Sequence, residues 1–166
     1  MMGPIPETIV EKTWQEVGGF SPDRGKKEMM KIGNNQPELL AFVTESSQEM
    51  GQEVRELAIY MFIVVYRMFE KAYGKIKKIS PEEIIECYEH NEGLMERLEG
   101  AHEKFLDRVA SAQTSKQPYV VKYVADALME KDDEGEDAVS LTEEQKGFLY
   151  LLLKTVIDVL DQPGIR

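Results

Sequence analysis

The pair Glu99 and His102, written EGAH, sets a carboxylate and an imidazole three residues apart, which on a helix is one face. Carboxylate-bridged di-metal bundles use that spacing twice and add inward Glu residues from two further helices. Here the spacing occurs once, and the apolar stretches 57–69 and 148–157 contain no Asp or Glu. No metal centre is expected. The stretch EKDDEGEDAVSL, residues 130–141, carries Glu130, Asp132 and Glu134 at alternate positions and Gly135 at the sixth, as a calcium loop would. Its register then fails: Asp137 stands at the eighth position, and Leu141 at the twelfth, where a bidentate Glu is needed. It reads as an acidic, solvated loop. Cys87 is the single cysteine, so no intrachain disulfide can form, and its neighbours Glu86 and Glu89 favour the thiol over the thiolate. It reads as a packing residue. A glycine-rich phosphate loop, a serine nucleophile elbow and a zinc spacing are all missing from the sequence, so no cofactor is expected.

The hexapeptide RLEGAH places Arg97 and His102 in an Arg-x4-His arrangement. It resembles the signature of the prokaryotic helical-bundle ribonuclease and nucleotide-binding family abbreviated HEPN. What the resemblance implies is an Arg and a His from paired subunits converging on a scissile phosphate, the imidazole moving a proton and the guanidinium balancing charge. It covers six residues, and Leu98 stands where that family usually has a polar side chain. Helical periodicity gives a second reading, since His102 and Asn91 both fall on an apolar stripe. Polar residues in such seams fix register or partner choice at some cost in stability, and a neutral imidazole there pairs with a nearby carbonyl or carboxylate. His90 lies off the stripe and is expected in solvent. Met50, Met61, Met68 and Met95 fall on inferred seams, which leaves Met29 and Met30 as candidates for an adaptable contact surface.

The elements that must position these residues are well punctuated. Pro6 opens a helix whose stripe is Ile9, Val10, Trp14 and Val17 and which Gly18 and Gly19 close. Ser21 and Pro22 start a second, with Gly33 as its stop. From Pro37 to Gly74 the three-four phase Leu39, Val43, Ser46, Met50, Val54, Leu57, Met61, Val64, Met68 runs without a slip, which predicts one long helix bent at Gly51. Ser80 with Glu83, and Thr142 with Gln145, are capping boxes that start two more helices. The first carries Ile84, Tyr88, Asn91, Met95, Leu98, His102, Phe105 and Val109 on one stripe. Pro118 starts another helix, with Val120, Val121, Val124 and Leu128 inward.

Residues Leu57–Tyr66 are ten apolar residues in a row, too few to span a bilayer, which takes about 18 or more. The expected fold is therefore all-α: a single-domain bundle over 1–166 of about five to six helices. Two nearly fully apolar helices, 51–73 and 143–160, sit centrally, residues 1–35 form an N-terminal helical arm, and 130–141 is the acidic loop. Formal net charge is -11, and residues 84–166 carry 9 basic against 18 acidic side chains. Such a surface repels phosphate backbones and anionic headgroups, so neither nucleic acid nor membrane is expected as a partner. With one cysteine and no leader-like N-terminus, the expected location is cytoplasmic. The functional expectation is a non-catalytic interaction or assembly module whose partner is another protein or a second copy in a homodimer. A ribonuclease-like dimer using Arg97 and His102 stands as the alternative.

Overall fold

The computed structural model describes residues 3–98, 116–130 and 141–161. All regular structure among them is helical: α1 (Glu7–Gly18), α2 (Pro22–Asn35), α3 (Pro37–Ser46), a 3-10 turn (Gln48–Met50), α4 (Gln52–Tyr73), α5 (Pro81–Leu98), α6 (Pro118–Glu130) and α7 (Glu143–Leu160). The starts follow local chemistry. Ser21 Oγ accepts from the Arg24 amide at 3.1 Å. Both capping boxes are closed: the Glu83 amide donates to Ser80 Oγ at 3.2 Å and the Gln145 amide to Thr142 Oγ1 at 3.1 Å, while Glu83 and Gln145 reach back to the Ser80 and Thr142 amides.

The expected count of five to six helices becomes seven among the described residues, because the segment read as one helix from Pro37 to Gly74 is two. Ser47, fully buried, turns its hydroxyl back onto the Val43 carbonyl at 2.8 Å, a local bond that competes with helix propagation. Gly51 then takes φ 96° and ψ 156°, a conformation reserved in practice for glycine, so the chain leaves the helix there outright. The apolar phase still carries through, with Val43, Val54, Leu57 and Met61 all buried. Phase records which residues face the core, and a short 3-10 turn can preserve it while breaking the helix. A second difference is that α2 continues through Gly33 to Asn35. A Cβ on Gly33 would lie 3.0 Å from Leu40 Cδ2, so this glycine permits the close approach of α2 and α3 instead of ending a helix.

Burial concentrates in α4 and α7. Of the ten residues Leu57–Tyr66, all but Ile59 and Tyr60 are buried, and Leu149–Ile157 are buried without exception. No helix among the described residues is long and apolar enough to cross a membrane. Helices α5 and α6 pack along α7, while α1, α3 and α7 pack against α4. Val10, Val17 and Ile32 of α1 and α2 are part of the same buried cluster.

Two buried glutamines tie the connections. Gln36, at the α2–α3 junction, accepts from the Ile79 amide at 2.9 Å and donates to the Lys77 carbonyl at 2.7 Å. Gln117, just before α6, accepts from the Ile5 amide at 2.8 Å and donates to Tyr73 Oη at 2.7 Å and Asp161 Oδ1 at 2.8 Å. Through Gln117 the approach to α1, the end of α4 and the start of α6 are fixed together, and those three helices form the walls of the cleft described next.

Candidate functional site: an aromatic, acid-rimmed cleft

A cleft of about 420 Å³ opens between α1 and α6 above α4. Helix α1 contributes Glu7, Val10, Glu11 and Trp14, whose spacing of three, one and three lays them along one face. Helix α6 mirrors it with Tyr119, Lys122, Tyr123 and Asp126 in the same spacing, and Leu57, Tyr60 and Met61 of α4 make the floor. The inward side of α6, Val120, Val121, Val124 and Leu128, is buried as its periodicity predicts, so the face carrying two tyrosines is turned out into the cleft.

Five large hydrophobic side chains are exposed among the described residues, and three of them line this one cleft: Trp14 at 41%, Tyr60 at 37% and Tyr119 at 39%. Scattered exposed apolar residues are ordinary, and the gathering of three at one concavity sets this surface apart from the rest. The rim is also charged. Glu7, Glu11 and Asp126 face a single Lys122, and among the described residues none of the four makes a salt bridge. The neighbouring surface contrasts with this: Glu16 and Glu28 are held by Arg67, and Glu16 also by Lys71 at 2.8 Å, which keeps the Glu16 carboxyl below its usual range.

Burial pushes the Tyr60 phenol up, and the Tyr123 phenol well up with the Tyr60 hydroxyl as a second cause, so both hold their protons at neutral pH. The cleft offers hydrogen-bond donors, aromatic rings, one ammonium and three carboxylates.

A second polar constellation lies between α5 and α7. Asn91 is 2% exposed and its Nδ2 donates to Asp158 Oδ2 at 3.0 Å, with Thr155 Oγ1 at 3.4 Å. Lys154, itself buried, donates to Asp158 Oδ1 and Oδ2 at 2.8 and 2.7 Å. Lys146, Tyr150, Lys154 and Asp158 follow one another at i, i+4, so a polar ridge runs along a helix that is otherwise apolar. The buried Tyr150 hydroxyl has no hydrogen-bond partner among the described residues, and burial, with Asp158 as a second cause, pushes its pKa up to about 12.

The remaining sequence-predicted positions are dispersed. Met29 is half-buried and Met30 is 65% exposed, both on α2 and outside the cleft. Arg97 belongs to the last turn of α5, while His102, Glu99 and the acidic residues 131–140 lie outside the described residues. His90 is exposed and Cys87 half-buried against the core. Among the described residues no group of three or more His, Cys, Asp or Glu side chains could hold a metal ion.

The raised phenols have a consequence for pH. Tyr60, Tyr66, Tyr88, Tyr123 and Tyr150 are all raised above the ordinary value of 10, burial being the first cause in each. Folding free energy is therefore unaffected by them below about pH 10. Above it the unfolded chain sheds protons that the fold retains, and stability falls by about 1.4 kcal/mol per pH unit for a phenol held well above the ordinary value, as at Tyr123 and Tyr150, and by less for the more exposed Tyr60 and Tyr88. Urea midpoints are expected to decline steadily above about pH 10, and Tyr150→Phe to make that decline shallower; a midpoint flat to about pH 12 would show the phenols ionising freely in the fold.

No family model, curated protein or solved structure matches this chain.

Proposed function

We propose that the protein is a single helical bundle organised on α4 and α7 that acts as a non-catalytic protein-protein interaction module in the cytoplasm, docking its partner in the cleft between α1 and α6. The observation that carries this reading is the gathering of Trp14, Tyr60 and Tyr119, exposed, around one concavity whose rim charges have no ion-pair partner among the described residues. Aromatic side chains of this kind supply large contact area with a polar tip and are enriched at interface hot spots. Gln117 and the packing of α1 and α6 hold the walls in place before a partner arrives, which lowers the ordering cost of binding.

The test places a photoreactive benzoyl-phenylalanine at Tyr119, in the cleft, and separately at Ile85, which is 55% exposed on α5 and away from it. Illumination in the native host is expected to give one discrete polypeptide adduct from position 119 and none from position 85. An adduct with a second copy of this chain would make the partner itself and the assembly a homodimer. Absence of any adduct from position 119 overturns the interaction-module reading.

A further inference from the structure

The cleft's composition specifies more than that a partner binds; it specifies the partner's charge. Three carboxylates, Glu7, Glu11 and Asp126, share the rim with one ammonium, Lys122, so an empty cleft carries two uncompensated negative charges. None of the three carboxylates forms a salt bridge among the described residues, whereas further along α1 Glu16 is paired with Arg67 and Lys71. The same lining holds Trp14, Tyr60, Tyr119 and Tyr123, and aromatic rings attract a cation through the ring quadrupole. Carboxylates and aromatic rings together suit a cation with an apolar stem, such as a guanidinium or ammonium at the end of an aliphatic chain.

Size narrows the occupant further. A cleft of about 420 Å³ lies within the range of roughly 300–1,000 Å³ typical of sites for small organic groups. It accepts side chains that reach in from a partner and is too small to swallow a whole helix. The Leu57 and Met61 floor offers apolar contact for the stem, and the Tyr60 and Tyr123 hydroxyls, which make no hydrogen bond among the described residues, offer donors to the partner's carbonyls.

We infer that the cleft recognises a basic, apolar-flanked segment of a partner protein, inserting Arg or Lys side chains between the α1 and α6 carboxylates and over the aromatic rings. This rests on the interaction-module reading above and names the chemistry of what that module binds. The chain's net charge of -11 steers such a segment toward the protein, and the local arrangement of charge selects the cleft.

Trp14 is the only tryptophan in the chain, so its emission reports occupancy of the cleft alone. The probes are two synthetic peptides, one of alternating Arg and Leu and one with Gln in place of every Arg. The Arg peptide is expected to change Trp14 emission saturably and the Gln peptide to leave it unchanged. Replacing Glu7→Gln, Glu11→Gln and Asp126→Asn together keeps shape while removing charge, and should weaken the Arg peptide roughly tenfold or more, the sum of several rim charge contacts. General attraction to an acidic protein is controlled by Glu45→Gln, Glu49→Gln and Glu89→Gln, exposed positions outside the cleft that remove the same charge. Equal weakening by the two triple variants, or equal binding of the two peptides, overturns the inference. If the Arg peptide fails while position 119 still crosslinks a polypeptide, the cationic partner is wrong and the interaction module stands; if both fail, both are wrong.

Discussion

Removing Asp158 is expected to cost about 2–3 kcal/mol, although the residue keeps 30% of its side chain in solvent. The loss comes from what is left behind. Lys154 is 9% exposed at its side chain and directs its ammonium at Asp158 alone among the described residues, so Asp158→Ala strands a buried cation. Asn91, packed between α5 and α7, loses its 3.0 Å acceptor in the same step. A fully sealed pair would cost more when broken, and the partial exposure of Asp158 sets the lower figure. The decisive comparison is the double variant Lys154→Met, Asp158→Leu, which removes both charges and refills the volume, and is expected to recover most of the loss. Urea denaturation of the wild type, the single and the double variant measures all three. If the single variant proves as stable as the double, Lys154 has found solvent, and the seam holds no stranded charge.

This seam also shows how far the sequence could be read. Asn91 stands out because a polar side chain on an apolar stripe is a local contradiction visible in one helix. Its partners are not visible that way: Asp158 is 67 residues distant, and only packing of α5 on α7 brings the two together. The capping boxes at Ser80 and Thr142 were legible in full, since both halves of each bond lie within four residues. The break at Ser47–Gly51 was not, because apolar phase survives a 3-10 turn and says nothing about backbone φ. The cleft was least legible of all. Trp14 is one of the four residues of the α1 stripe, so periodicity places it inward; the structure instead buries Thr13, its hydroxyl bonded back to the Ile9 carbonyl at 2.7 Å, and Trp14 is exposed. Tyr60 was hidden by its neighbours in an apolar run. The available signal was on α6, where Tyr119 and Tyr123 share the helix face opposite a complete apolar stripe, an arrangement that core packing does not require.

The largest single loss of stability is expected at Phe62, and its neighbour Tyr60 separates stability from function two residues away on the same helix. Phe62 is fully buried in α4, with its ring 6.1 Å from that of Tyr66, and it belongs to the cluster that joins residues of α1, α3 and α7. Truncation to alanine removes the transfer free energy of the ring and leaves a cavity the surrounding helices can only partly close, a loss of about 3–5 kcal/mol. Against a total stability of roughly 5–15 kcal/mol for a domain of this kind, Phe62→Ala is expected to shift the urea midpoint severely or unfold the chain. Tyr60→Ala removes a side chain 37% exposed at the cleft floor, so its effect on the midpoint should be small while Trp14 ceases to respond to the Arg peptide. The contrast follows from geometry: positions 60 and 62 point to different sides of α4, one toward the cleft and one into the core. A large loss of stability at Tyr60 would mean that the ring holds α1 and α6 together and that the cleft is a by-product of packing. A small loss, with binding abolished, leaves recognition as the reason an aromatic ring stays exposed in the middle of the chain's most apolar run.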